Sequence, residues 1–204
     1  MTDARRPLKS RSTAWASKIA RAIAATPITP NQISVFSMLF ALMGAFAIVW
    51  SPAPATFVLC AVCVQLRLLC NLIDGMVAVE GGKASPTGAL YNEVPDRVAD
   101  SLFLVALGYA AGLAWAGWLA ALLAALTAYI RVLGGTLGQA QDFRGPQAKP
   151  HRMAVMTLGL LAGAIELAYL SSSFALATAL AVIVLGTGLT CVLRLRAIAS
   201  RLSA

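Results

Sequence analysis

Six apolar segments, each close to the roughly 20 residues that a helix needs to cross a bilayer, constrain this chain more than any other feature. They cover residues 32–50, 54–79, 86–111, 113–133, 153–170 and 174–193. In hydrocarbon every backbone N–H and C=O must be satisfied inside the segment, so runs of this length fold as helices. Turn chemistry separates them: Pro52 and Pro54, then Gly81, Gly82, Ser85 and Pro86, then Gly112, the polar stretch from Gln139 to His151, and Ser171 to Ser173. Composition agrees, with 59% of the 204 residues hydrophobic and 12% charged, against about 25% charged in soluble domains. The expected fold is all-α integral membrane: six transmembrane helices with no room for a separate soluble domain.

Sixteen Lys and Arg against eight Asp and Glu give a net charge of +8, which on a soluble chain would point to nucleic acid. Their placement gives another reading. Arg5, Arg6, Lys9, Arg11, Lys18 and Arg21 precede the first segment; Lys83 lies in the second connection; Arg144, Lys149 and Arg152 fall in the fourth; Arg194, Arg196 and Arg201 follow the last. The alternate connections, near 51–53, 112 and 171–173, hold no Lys or Arg. Thirteen of the sixteen therefore fall on one side, which the positive-inside rule makes cytoplasmic, with both termini there. Trp50, Trp115 and Trp118 fall near the other interface, where amphipathic rings are favoured. This reads as topology, with no nucleic-acid partner, in a multi-pass protein of a bacterial inner membrane.

Within residues 12–25, Trp15, Ile19 and Ile23 repeat at helical spacing while Lys18 and Arg21 occupy another face, the pattern of a helix lying along anionic headgroups. A basic tail that only fixes orientation is the plainer alternative. The expected organisation is an N-terminal segment over 1–30 with that interfacial helix, a membrane domain over 31–197 and a tail over 198–204. Gly108-x-x-x-Gly112 and Gly159-x-x-x-Gly163 mark close helix contacts or a homodimer face. The cysteines Cys60, Cys63, Cys70 and Cys191 sit in apolar surroundings beside a single histidine, His151, so neither a disulfide framework nor a zinc site is expected. The first apolar run, Ile33 to Trp50, is too long for a signal-peptide core, so the N-terminus is expected to be retained.

The acids are scarce and clustered. Five of the eight, Asp74, Glu80, Glu93, Asp96 and Asp100, lie within residues 74–100. Carboxylates at membrane depth are costly and usually face the bundle interior or a wet cavity. Helical spacing places Arg67, Asn71, Asp74 and Ala78 on one face, and Gly88, Asn92, Asp96 and Asp100 in a row at steps of four on the next helix. A hairpin through Glu80 to Thr87 would bring those faces together. Oxygen donors converging from two helices suit a hard divalent cation, which in turn attracts phosphate. Gly75, Ala78 and Gly88 keep both helices thin there, so a ligand can approach the backbone. The structural alternative is a set of interhelical hydrogen bonds with an ion pair such as Arg97 with Asp100 or Arg67 with Asp74.

At these residues the sequence resembles the CDP-alcohol phosphotransferase family, whose signature runs D-x-x-D-G-x-x-A-R-x8-G-x-x-x-D-x-x-x-D. The aligned stretch runs from Asn71 through Asp74-Gly75, Ala78-Val79 and Gly88 to Asn92 and Asp96, with every spacing matched. Asn71 and Asn92 stand where the family has Asp, and Val79 where it has Arg. Thr29-Pro30-Asn31 is similar to the family's approach to its first span. The resemblance implies six spans behind an interfacial helix, and attack of an alcohol on the β-phosphorus of a CDP-linked lipid donor with release of CMP. It further implies Mg²⁺ or Mn²⁺ held by Asn71, Asp74, Asn92 and Asp96, with Asp96 also the general base. Lys83 is a candidate replacement for the lost Arg, Glu93 and Asp100 for the lost charge, and Arg131 a candidate for phosphate or an acidic acceptor. Arg67 is read as orienting Asn71 or Asp74, Lys149 and Arg152 as topology charges, and Glu166 as a group near the far interface. The altered positions leave two alternatives, a silent relative that binds nucleotide lipid or serves as a membrane assembly partner, and a small transporter.

Overall fold

The computed structural model describes residues 13–170, 172 and 174–203. Arg5, Arg6, Lys9 and Arg11 of the basic N-terminus, Ser171 and Ser173 of the fifth connection, and Ala204 of the tail lie outside the described residues. The described residues form seven helices and no strand: α1 (Ala14–Ala24), α2 (Pro30–Trp50), α3 (Pro54–Val79), α4 (Gly88–Ala110), α5 (Ala114–Thr136), α6 (Lys149–Tyr169) and α7 (Phe174–Leu202). Five of them, α2, α3, α5, α6 and α7, are long and apolar enough to cross a membrane, which makes the chain an integral membrane protein. The remaining long helix, α4, has 23 residues but carries Glu93, Asp96, Arg97 and Asp100 along its first half.

Local sequence sets the boundaries. Thr29 Oγ1 accepts from the Gln32 N–H at 3.2 Å while Gln32 Oε1 accepts from the Thr29 N–H at 2.9 Å, a capping box that starts α2 one residue before Pro30. Pro54 opens α3 in the same way, and Pro150 in the first turn of α6 lets that helix begin at Lys149, four residues ahead of the apolar run. Helix α7 continues past the apolar segment, which ends at residue 193, through the basic stretch to Leu202.

Side-chain size decides who packs on whom. Helix α2 packs against both α3 and α4; α5 bridges α4 and α7; α6 bridges α3 and α7. Ile48, Phe57, Phe103, Leu107, Met156 and Leu180 fill the shared core. Helices α3 and α4, joined by the 80–87 connection, scarcely touch each other. Helix α1 presents its small residues to the bundle: Ala16 and Ala20 rest on Leu72, Ile73, Met76 and Val77 of α3, while Trp15 and Ile19 are exposed.

Both small-residue pairs make contacts within the chain. Gly108 of α4 lies against Gly117 of α5, and Gly159 and Gly163 of α6 lie against Ala179 and Leu176 of α7; Gly112 turns the α4–α5 connection at φ +69°, where a side chain would be strained. The spacing that suggested a homodimer face is thus occupied internally. A Cβ on Gly108 would stand 2.6 Å from Gly117 Cα, whereas one on Gly88 would meet only Ser85 Oγ at 3.5 Å. Gly108→Val is therefore expected to destabilise the bundle by about 1–3 kcal/mol, read as a lower melting temperature in detergent, with Gly88→Ala close to wild type.

Candidate active site

At one end of the bundle the gap between α3 and α4 opens into a cleft of about 530 Å³, walled by the start of α2, the end of α3, the start of α4 and the end of α5. Asn71, Asp74, Gly75 and Ala78 line it from α3; Lys83 from the connection; Gly88 and Asn92 from α4; Arg131 from α5. Eight of the nine residues singled out by sequence therefore border one space. Asp96 does not line it; it sits behind the wall, 8% exposed.

Asp74, 4% exposed, accepts a hydrogen bond from Ser34 Oγ at 2.5 Å, so α2 fixes the carboxylate of α3. Asp96 is the most heavily engaged group: Asn71 Nδ2 donates to its Oδ1 at 2.6 Å, Arg67 pairs with the same oxygen, and Lys149 pairs with Oδ2. Arg97 approaches Oδ2 at 3.5 Å. One turn along α4, Asp100 pairs with Arg152 at 3.2 Å, and Lys149 Nζ lies 3.9 Å from its other oxygen.

These contacts correct several expectations. Arg67 pairs with Asp96 and not with Asp74, and Arg97 pairs with Glu93 at 3.3 Å and not with Asp100. Lys149 and Arg152 are not loop charges: Arg152 is 1% exposed, donates to the Gln147 carbonyl at 3.1 Å, and with Lys149 faces the acids of α4. The signal was present, since residues three apart in the first turn of a helix share a face and Pro150 marks that first turn. Glu166 caps α7, accepting from the Phe174 and Ala175 N–H groups at 3.0 and 2.8 Å.

The far wall is built around Arg131. Its guanidinium donates to Glu93 at 2.6 Å and to Gln141 at 2.8 Å, and lies 5.4 Å from the centre of the Phe143 ring. Gln141, which borders the cleft from the α5–α6 connection, is a residue that sequence reading missed. The Lys83 ammonium binds the carbonyls of Thr26 and Ile28, bracing the cleft's rim against the α1–α2 connection. Asn31 reaches across to Ser85 at 3.4 Å and Thr87 at 3.3 Å. Val79, at the position of the family's Arg, is 59% exposed.

Among the described residues no three His, Cys, Asp or Glu side chains converge as a metal group. The cleft is lined by two carboxylates, Asp74 and a Glu93 already paired with Arg97 and Arg131, and by the amides of Asn71 and Asn92. That donor set fits one hard cation whose shell is completed by phosphate oxygens; it does not fit a four-carboxylate site for two ions.

The family profile for CDP-alcohol phosphatidyltransferases matches residues 27–193. The inner membrane protein YnbA of Escherichia coli (strain K12) is 27% identical over 139 residues, 68% of this chain and 69% of that protein. A bifunctional IPC transferase and DIPP synthase of Rubrobacter xylanophilus is 34% identical over 145 residues, 68% of this chain but 32% of that protein, so the chain spans about a third of it. The crystal structure of Mycobacterium tuberculosis phosphatidylinositol phosphate synthase with CDP-DAG bound superposes at a TM-score of 0.77, with 20% identity, over 91% of this chain and 94% of that one. The same enzyme with manganese and citrate superposes at 0.76, with 20% identity, over 90% and 88%. With the profile extending over most of its length, the chain belongs to the CDP-alcohol phosphatidyltransferase family.

Proposed function

We propose that the protein transfers a phosphatidyl or related phosphoalcohol group from a CDP-linked lipid donor to an alcohol, releasing CMP, in phospholipid synthesis. The observation that carries this reading is the open cleft in which Asn71 and Asp74 of α3 face Gly88 and Asn92 of α4, the residues at the matched signature positions. Gly88 supports it separately: nothing in the protein's own packing requires a glycine there, whereas a ligand lying on the backbone would.

In this reading α4 is the sixth span, its charges paired with side chains of α3, α5 and α6, and α1 is the interfacial helix. The cleft and both termini face the cytoplasm of a bacterial cell. A nucleotide then enters from water while the lipid tails stay in the bilayer. Asp74, Asn71 and Asn92 would hold one Mg²⁺ or Mn²⁺, which would supply positive charge to the pyrophosphate and to the departing CMP. Ser34 keeps Asp74 aimed, and Gly75, Ala78 and Gly88 admit the donor against the helix backbones. The acceptor oxygen attacks the β-phosphorus, the bond from that phosphorus to the bridging oxygen breaks, and the bridging oxygen leaves with CMP. The hydroxyl proton goes to Asp96, which lies behind the cleft wall on Arg67, Lys149 and Asn71 and takes it up once the bound donor draws one of these partners away. Arg131, fixed by Glu93 and Gln141, positions a phosphate-bearing or acidic acceptor.

Incubating the full chain in nanodiscs with CDP-diacylglycerol and a panel of acceptor alcohols is expected to release CMP, and EDTA to stop it. Asp74→Ala should lower the rate at least about 100-fold, in the range of a lost acid–base or charge-stabilising group. No CMP from folded wild type with any acceptor would overturn the reading. The proton acceptor is tested by comparing Asp96→Asn with Glu93→Gln: Asp96→Asn is expected to lose at least about 100-fold in kcat and Glu93→Gln less. The reverse order would assign the proton to Glu93, the carboxylate that borders the cleft. Arg131→Ala is expected to raise KM for a phosphorylated acceptor about tenfold, the effect of losing about 1.4 kcal/mol of binding, with a smaller change for a neutral one.

A further inference from the structure

Four carboxylates stand in and directly behind the cleft: Asp74, Glu93, Asp96 and Asp100. Five side-chain cations pair with or approach them: Arg67 and Lys149 on Asp96, Arg97 and Arg131 on Glu93, and Arg152 on Asp100. With Lys83 on the rim as a sixth cation, the site carries two more positive charges than negative before any ligand arrives. Arg67 is fully buried, and its Nε and Nη1 have no hydrogen-bond partner, so cationic donor capacity is left over beneath the cleft. A divalent ion entering alone would add two positive charges to a group that is already positive, against attraction from Asp74 and from a Glu93 that Arg97 and Arg131 already neutralise. Uncompensated charge in a poorly solvated site is costly. A pyrophosphate offsets that surplus with its own negative charges and brings oxygen ligands for one cation.

We propose that Arg67, Lys149 and Arg152 supply the charge neutralisation that a second metal ion would otherwise give, so that the free site holds no divalent ion and takes up one only together with the pyrophosphate of its donor. Lys149 is the positioning residue in this arrangement: its ammonium is the group that spans both Asp96 and Asp100. The inference rests on the reading of the cleft as the donor site, but it concerns ion binding and has its own readout.

The test is a Mn²⁺ titration of the full chain in nanodiscs, followed by the EPR signal of free Mn²⁺, with and without CDP and with Mn²⁺ binding to CDP alone subtracted. Wild type is expected to show no saturable binding by itself and one Mn²⁺ per chain with CDP. Asn71→Asp with Asn92→Asp, and separately Lys149→Met, should each bind Mn²⁺ without nucleotide at least about tenfold more tightly than wild type, a change of about 1.4 kcal/mol or more. Two ions bound to wild type, one ion bound equally well without CDP, or none in either condition overturns the proposal. So does a pair of folded variants, checked by gel filtration, that bind no better than wild type. Failure of the transferase reading would appear elsewhere, as CDP-dependent Mn²⁺ uptake without CMP release.

Discussion

The junction at Asp96 is the interaction on which the rest of the site depends. One carboxylate of α4 receives Arg67 and Asn71 of α3 and Lys149 of α6, so three helices meet on two oxygens. Direct packing between α3 and α4 adds little to fix the width of the cleft, since the two scarcely touch. Removing one partner of a buried ion pair typically costs about 3–5 kcal/mol, since the other charge stays buried. The same number of contacts made by Leu and Val would hold the helices together but would set no register between the rows at 71–74 and 88–92.

A cleft exists here because the connection from Glu80 to Thr87 joins two helices whose common partner is a third. Helix α2 packs on both α3 and α4 and contributes Ser34 and Asn31 to the gap between them. The opposite wall is held from further away. Gln147 N–H donates to Thr190 at 3.1 Å, Arg194 donates to the carbonyls of Arg144 and Thr127, and Arg201 reaches Asp142 at 3.3 Å. Partial burial of Asp142 would raise its carboxyl, but hydrogen bonds from the Arg144 backbone and guanidinium hold it below its ordinary value. The basic end of α7 thereby straps down the α5–α6 connection that carries Gln141 to Arg131.

Five of the long helices and cleft membership were legible in the sequence because both depend on local regularities: apolar length for α2, α3, α5, α6 and α7, and steps of three and four for Asn71, Asp74, Gly88 and Asn92. The pairing of charges was not. Arg67 is equally well spaced for Asp74 on its own helix and for a carboxylate across the gap, and which it meets depends on how α2 holds α3 and α4 together. Lys149 and Arg152 were misread because counting charges by loop treats every Lys and Arg near a helix end as solvated. Four extra residues of helix at the start of α6 are enough to turn both side chains inward. In α1, spacing identified the apolar stripe of Trp15 and Ile19, yet the bundle took the alanine stripe beside it, since Ala16 and Ala20 allow the closer approach to α3.

The departures from the family signature are not independent of this network. Asn71 donates its Nδ2 hydrogen to Asp96, which an ionised Asp at the same position cannot do; that carboxylate would instead stand about a hydrogen-bond length from another carboxylate. Two acids so placed need a cation between them, either a metal ion or a proton. With Asn there, the donor is built into the side chain, and Arg67 on the same oxygen and Lys149 on the other close Asp96 without an ion. Loss of charge at 71 and retention of the Asp96 junction are therefore one structural choice, and a change at 71 alone alters the hydrogen bonding of Asp96 as well as the charge of the cleft.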